Sequence, residues 1–391
     1  MSKEINPKQK LIFINIVLII IALIILITWA SKKEIDEAGP SLINQDAHGR
    51  IWLEFNSDIY ILTNEGDIIT ELDIKQLGIA PPFASFTPLP DGGMLVGSRE
   101  TRKIHVIGSD GSSVKVIDLA ENKIGPLFGV FHLFYNAMTS EILIADTSNH
   151  RIVVIDINGK VVKWAGEVDN TPGQFDFPNN ILVDNQRRII LVNTNKHRLS
   201  ILSDSLETLN EYNPLSRNSS QFTWPVFLGA DKKGRFYVTN HDNNLKGGEL
   251  VRLDVDGSRE MVYTLPEGVE PMSILVREKD ILLSDHHTFR IYSIRHDDRE
   301  LSIYGSKGLN DMMEKSRKNE VFYTLTVKIC QALLVLILFC LLAILLVSKL
   351  RRKGLPDEKI KALKIEKPTL SQHLEYLFIL KINTLFSSVV N

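Results

Sequence analysis

FPNNILVDNQRRIILVNTNKHRLSIL, residues 177–202, is the stretch that decides how this chain is read. Three Ile/Leu/Val-rich runs (180–184, 189–193 and 198–202) alternate with two polar links rich in Asn, Lys and Arg (185–188 and 194–197). Short β-branched runs bounded by turn residues are the pattern of an antiparallel meander. So few strands cannot enclose a core, so the meaning lies in repetition. With Asn193 as the reference, equivalent strand ends fall at Phe55, Ser98, Asp146, Asn240 and Asp285, at intervals of 43 to 48 residues. A repeat of this length holding several strands is a propeller blade rather than a helical solenoid unit. Pro40, Pro178, Pro225 and Pro271 stand 14 or 15 residues before the reference position. Proline there opens an inner strand where no donor is lost. Six units fit between residues 40 and 305, so the expected fold is an all-β, six-bladed propeller, blade six closing on blade one without a swapped strand.

The runs FPNNILVDNQRRIILVNTNKHRLSIL and ILIADTSNHRIVVID resemble NHL repeats, with a proline-led strand, a polar turn, a strand ending in Ala-Asp and an Asn-x-His-Arg loop. The likeness is best in units three, four and six. Unit one carries Asp58, and unit five Glu249, where the others have a basic residue, and unit five lengthens the loop over 243–248. Lys103, Arg151, Arg198 and Arg290 open the third strands and are expected to bond the Asp or Asn at the strand-end position. Glu65-Gly66, Asp110-Gly111, Asn158-Gly159 and Asp256-Gly257 read as hairpin turns that need positive φ, rather than calcium loops. Val183 and Leu191 are expected in the core.

The resemblance implies a fold more than a function, because similar propellers serve as binding platforms, lyases and hydrolases. The loops between second and third strands share a face with the blade-to-blade connections. His150, His197, His241, His286 and His287 fall there. The first two sit in the repeat signature, where packing is their expected role. His241 and His286 each follow the strand-end residue in adjacent blades, so a shared metal or catalytic site with Asp285 is the alternative. Residues two past the proline position should approach the axis: Leu42, Ser85, Asn180, Phe227 and Ser273, with Phe131 or His132 in unit three. Metal-dependent lactonases of similar fold need converging Glu, Asp and Asn there, and amidating lyases of the NHL type need several His. Neither set is present. No cofactor, metal or catalytic residue is assigned. The candidate partner face comprises His150, His197, His241, Asp285, His286 and Asn180. The expectation is a module binding a protein, peptide or glycan, with a lyase or hydrolase using a His-lined site as the alternative.

Outside the repeats, residues 11–29 form an uncharged apolar run after Lys3, Lys8 and Lys10. It exceeds the roughly 7–15 residues of a signal-peptide core, so it reads as an uncleaved anchor, with cleavage the rival reading. Residues 329–347 form a second run, followed by Lys349, Arg351, Arg352 and Lys353. Positive charge marks the cytoplasmic side. This places both termini, the short segment 1–10 and the tail 348–391, in the cytoplasm of a two-span membrane protein, with the propeller outside. Residues 31–40 read as an extended tether, and 306–328 as a linker turning into helix. Both tethers should leave from the histidine-bearing face, bringing it near the bilayer. In the tail, Leu374, Leu377, Phe378, Leu380, Ile382, Leu385 and Phe386 suggest an amphipathic helix, lying on the leaflet or packed on a helix. The two cysteines, Cys330 and Cys340, sit inside the second run, so no disulfide or zinc-thiolate site is expected in the propeller. The net charge of −2 shows no nucleic-acid footprint, and the expected partner is a membrane-associated protein or peptide. Asn218-Ser219-Ser220 is a lone glycosylation sequon.

Overall fold

The computed structural model describes residues 7–79, 83–166, 175–213, 222–241, 248–297 and 300–352. The sequon at Asn218, most of the unit-five loop and the tail helix lie outside the described residues. The chain divides into a unit of residues 28–326 and a second unit formed by 1–27 with 327–391.

Six four-stranded antiparallel sheets make the first unit, each built from four consecutive strands, so the fold is a six-bladed β-propeller. The inner strands are Ile43–Gln45, Phe83–Pro88, His132–Asn136, Pro178–Val183, Trp224–Ala230 and Pro271–Val276, and they touch their counterparts in neighbouring blades. Blade six supplies all of its own strands, the last being Leu301–Ile303, as expected of a ring closed without strand exchange. Pro178, Pro225 and Pro271 stand at or next to the start of their inner strands and each is followed by a register shift, whereas Pro40 lies three residues before Ile43, where its strand begins. Strand alternation fails in the second strands, which are buried along their whole length, as in Ile51–Phe55 and Ile189–Asn193. A sheet covered on both faces has no polar side to show.

The core is six cores, one per seam between blades. Leu191 is fully buried at the seam of blades three and four, whereas Val183, expected beside it, is only partly buried. The glycine turns do more than reverse the chain. Gly66, Gly159 and Gly257 all hold positive φ. A Cβ at each would also strike the preceding blade's outer-strand end: Gly305 and Tyr304, Ile117, and the Tyr212 ring, respectively. Each of these blades therefore tucks its last strand under the next blade's hairpin, and the seam of blades six and one obeys the same rule.

That closing seam has two further clasps. The first turns of α2 (Lys307–Arg352) bring Leu309 and Met313 into the core shared by blades six and one. On the opposite side Arg277 makes a buried pair with Asp280, its Nε and Nη2 donating at 2.7 and 2.6 Å. Its Nη1 donates across the seam to the Asn64 carbonyl at 2.7 Å, with the guanidinium stacked 4.9 Å from the Tyr304 ring.

α1 (Pro7–Asp36) opens on proline, which suits the first turn of a helix. It runs on through residues 31–36, correcting the extended tether expected there. Lys and Glu are good helix formers, so nothing in SKKEID stops the helix. Likewise α2 begins at Lys307 with no linker before it. Both helices are long and apolar enough to cross a membrane. Leu11, Phe13 and Ile25, and Phe339 and Leu345 on the second, are exposed.

Candidate functional sites on the two propeller faces

The loop face, formed by the connections between second and third strands, is built around one repeated left-handed residue. Arg102, His150, His197 and Phe289 occupy it, each with φ between 52° and 60° and each just before the basic residue that opens the third strand. His150 lays its ring edge-on to Phe177, and its Nδ1 accepts from the Phe177 amide at 3.0 Å. His197 does the same to Trp224, with Nδ1 2.6 Å from the Thr223 carbonyl, which requires the ring to donate. Arg102 places its guanidinium 4.7 Å from the Phe128 ring, and Phe289 is buried at the closing seam. Thr147 and Thr194 add hydroxyl bonds to the carbonyls of Pro178 and Pro225, both 2.7 Å. His150 and His197 are therefore latches to the following blade, the packing role expected of them.

The basic residues that open the third strands divide. Arg151 bonds the strand-end Asp146 at 2.8 Å, as expected. Lys103 instead pairs with Asp118 and Arg198 with Glu211, both on or beside the fourth strand. The strand-end residue decides: Asp146 offers Arg151 a carboxylate, whereas Ser98 and Asn193 offer Lys103 and Arg198 none, and these two reach carboxylates at the outer strand instead.

His241, Asp285 and His286 lie at the seam of blades five and six, where Glu270 gathers them. His241 Nδ1 is 3.7 Å from Glu270 Oε1, and His287 Nε2 is 2.8 Å from Glu270 Oε2. The His286 ring stacks on His287 at 4.0 Å, and burial, then the neighbouring His287, hold its pKa below the ordinary value despite Glu270. Asp285 is spent on structure. Its carboxylate accepts from the amides of Glu270, His287 and Thr288, and burial lifts its pKa. Among the described residues no group of three His, Cys, Asp or Glu is arranged to hold a metal ion. Glu270, the hub of this cluster, precedes Pro271 as Phe177 precedes Pro178 and Trp224 precedes Pro225, so the signal that could have found it is an acid where those blades carry the aromatic partner of a latch.

The axis is narrow. The His132 ring, from blade three, meets the Phe227 ring of blade five edge-on at 5.9 Å. Ser85 turns its hydroxyl to the Leu133 amide, and Asn180 is half-buried in its strand without a side-chain hydrogen bond among the described residues.

The hairpin face, formed by the other turns, carries a depression of about 1000 Å³ across blades five, six and one. Its walls are turns of one design. Asp46 accepts from the amides of His48 and Arg50 and pairs with Arg50 Nε at 2.6 Å. Asp231 treats Lys233 and Arg235 alike, with Arg235 Nε at 2.7 Å. Burial pushes both carboxyls up, but the bonds from the Trp52 indole and Arg50 to Asp46, and from Arg235 to Asp231, outweigh it and leave them below the usual range. Arg277–Asp280 is the blade-six counterpart in reverse order. His296 braces the floor, with Nδ1 2.9 Å from the Tyr237 hydroxyl and Nε2 2.8 Å from the Arg277 carbonyl. The spacing Asp-x-x-x-Arg at 46/50, 184/188 and 231/235 was legible in the sequence and marks these turns.

These faces belong to a known architecture. The fold resembles a streptogramin B lyase, with a TM-score of 0.51 and 16% identity over 70% of this chain and 84% of that one. It also resembles a catalytically inactive histidine-to-alanine virginiamycin B lyase from Staphylococcus aureus, solved with quinupristin. That match has a TM-score of 0.51 and 16% identity over 70% of this chain and 86% of the other. At such identity the likeness is one of fold. No protein-family model matches the chain, and no curated protein matches it either.

Proposed function

We propose that this protein is a membrane-tethered propeller that binds a protein or peptide partner on its hairpin face, outside the cytoplasm, with α1 and α2 as its spans and both chain ends cytoplasmic. One observation carries the reading: the incoming and outgoing segments meet on the loop face. The Ala38 amide donates to Asn56 Oδ1 at 2.8 Å, and the Ser316 hydroxyl of α2 reaches the same oxygen at 3.0 Å. Asn56 lies in the loop-face turn of blade one. Both tethers thus leave from the face carrying His150 and His197, and the hairpin face with its depression is free of them. Residues 11–29 of α1 and 329–347 of α2 carry no charge on any side, and lipid is the surroundings that suits such a surface.

The test uses the full chain in right-side-out membranes, with Cys330 and Cys340 replaced by Ala and single cysteines at Lys233 or Asn149. A bulky impermeant thiol reagent should label Lys233→Cys readily and Asn149→Cys much more slowly. Equal labelling, or labelling only after the membrane is opened, overturns the reading.

A lyase or hydrolase reading keeps one support, the approach of His241 and His287 to Glu270, which is a donor–acceptor arrangement suited to proton transfer. Quinupristin is the probe. Conversion abolished by Glu270→Gln supports an enzyme, and no conversion by the intact protein removes that substrate class.

A further inference from the structure

We infer that the hairpin-face depression takes an acidic, partly apolar peptide segment, its carboxylates meeting Lys233 and Lys279. This rests on the binding reading above and names its chemistry. The three arginines of the walls are already neutralised: Arg50 by Asp46, Arg235 by Asp231 and Arg277 by Asp280. Lys232 leans toward Glu278 at 3.6 Å with both side chains almost wholly exposed, a pair of little strength. Lys233 and Lys279 remain, on adjacent blades, exposed and without an ion-pair partner among the described residues. They project from turns whose backbones are held by Asp231 and Asp280, so a ligand orders the two side chains but not the backbone that carries them.

The rest of the lining chooses between acidic ligands. Ile69, 51% exposed, shares the lining with Val276 and Ala230, which offers apolar surface. Asp297 and Glu278 are exposed at the rim, at 94% and 86% of their side chains. A uniformly anionic polymer would gain from two lysines and be repelled by these two carboxylates. A peptide that sets its acids against the lysines and an aliphatic side chain over Ile69 avoids the conflict. The near-balance of charge in the walls favours such a mixed ligand and makes its binding specific rather than merely strong.

A photo-crosslinking residue at Ile69 of the full chain, irradiated in native membranes, tests this, with the adduct mapped by mass spectrometry. The expected adduct is a protein segment with at least two Asp or Glu flanking an aliphatic residue. The double charge reversal Lys233→Glu with Lys279→Glu should cut its yield at least tenfold. Both lysines are exposed, and an unchanged melting temperature shows that the variant still folds. A mapped segment without acidic residues, or a yield indifferent to the reversal, overturns the inference while leaving partner binding standing. Loss of the adduct to added polyphosphate but not to a Glu/Leu peptide overturns it in favour of a polyanion. Adducts forming only from a probe at Asn149, and none from Ile69, overturn the binding reading itself.

Discussion

Two buried ionisable residues near the loop face carry opposite pH signatures. Glu54 is buried, and desolvation lifts its pKa to about 7, against bonds from Ser41 and the field of Arg99. His132 is buried against Phe227, and desolvation, with Arg99 adding to it, drops its pKa to about 4. Stability follows the proton difference between unfolded and folded chains. For Glu54 the folded state holds the extra proton between about 4.5 and 7, so its contribution falls as pH rises through that window. For His132 the unfolded state holds the extra proton between about 4 and 6.5, so its contribution rises over nearly the same window. The two largely cancel in the parent protein. Melting the variants against pH should separate them. Relative to the parent, Glu54→Gln should gain stability as pH rises from 4.5 to 7, by about 3 kcal/mol in all. His132→Leu should instead lose relative stability as pH rises from 4 to 6.5. Parallel melting curves for parent and both variants would show that neither residue keeps its native burial.

At the scale of the blade, the hairpin glycines separate local strain from seam packing. Gly257 and Gly111 occupy the same turn with φ of 82° and 79°. A Cβ at Gly257 would lie 2.2 Å from the Tyr212 ring, while nothing lies within 4 Å of one at Gly111. Gly111→Ala should cost only the left-handed strain, about 1–2 kcal/mol. Gly257→Ala should cost about 1–3 kcal/mol more, since a packed aromatic must move, and equal denaturant midpoints would refute the seam contact. Leu191→Ala, at a neighbouring seam, should cost about 2–5 kcal/mol in the same assay. The six blades and their turns were legible because apolar runs and Asn-Gly or Asp-Gly pairs are local signals. His150 and His197 were legible as packing residues, though not as members of a left-handed series that also includes Arg102 and Phe289. What joins blades was not legible. Whether Tyr212 meets Gly257, or Glu270 meets His241 and His287, depends on sheet twist over tens of residues. The helical course of residues 31–36 is not legible either, because the polar residues Lys32, Lys33 and Glu34 suit a tether and a helix alike and no Gly or Pro marks where α1 stops before Gly39.

In the whole ring, closure depends on contacts between residues more than two hundred apart in sequence. A propeller without strand exchange must hold its first and last blades by contacts outside the strand ladders: here the Ser306 amide donates to the Gly66 carbonyl at 3.2 Å, and side chains add clasps on opposite faces. On the loop face Ser316 and Asn319 of α2 bond to Glu37, and the Ser284 hydroxyl to the Ser41 carbonyl. On the hairpin face Arg277 links Asp280 to Asn64, and the Tyr304 hydroxyl donates beside it to the Asn64 carbonyl at 3.2 Å. Arg277 and Asp280 are 5% and 6% exposed, so removing the cation leaves a buried carboxylate whose remaining side-chain donor is the Ser293 hydroxyl. Breaking a buried pair in this way costs about 3–5 kcal/mol, more than an exposed pair such as Lys232–Glu278, which should cost under about 1 kcal/mol. Where the loss appears distinguishes a seam from an ordinary core defect. In Arg277→Ala, amide exchange should quicken first in the blade-one strands Ile51–Phe55 and Asp58–Leu62 and in Asp280–Asp285 and Arg290–Arg295 of blade six, while the strands of blades three and four keep parent rates. That pattern means the ring opens at its chain ends before it unfolds. Uniformly faster exchange in all six blades would mean that Arg277 stabilises the fold without closing it, and that the helix-side clasp is sufficient.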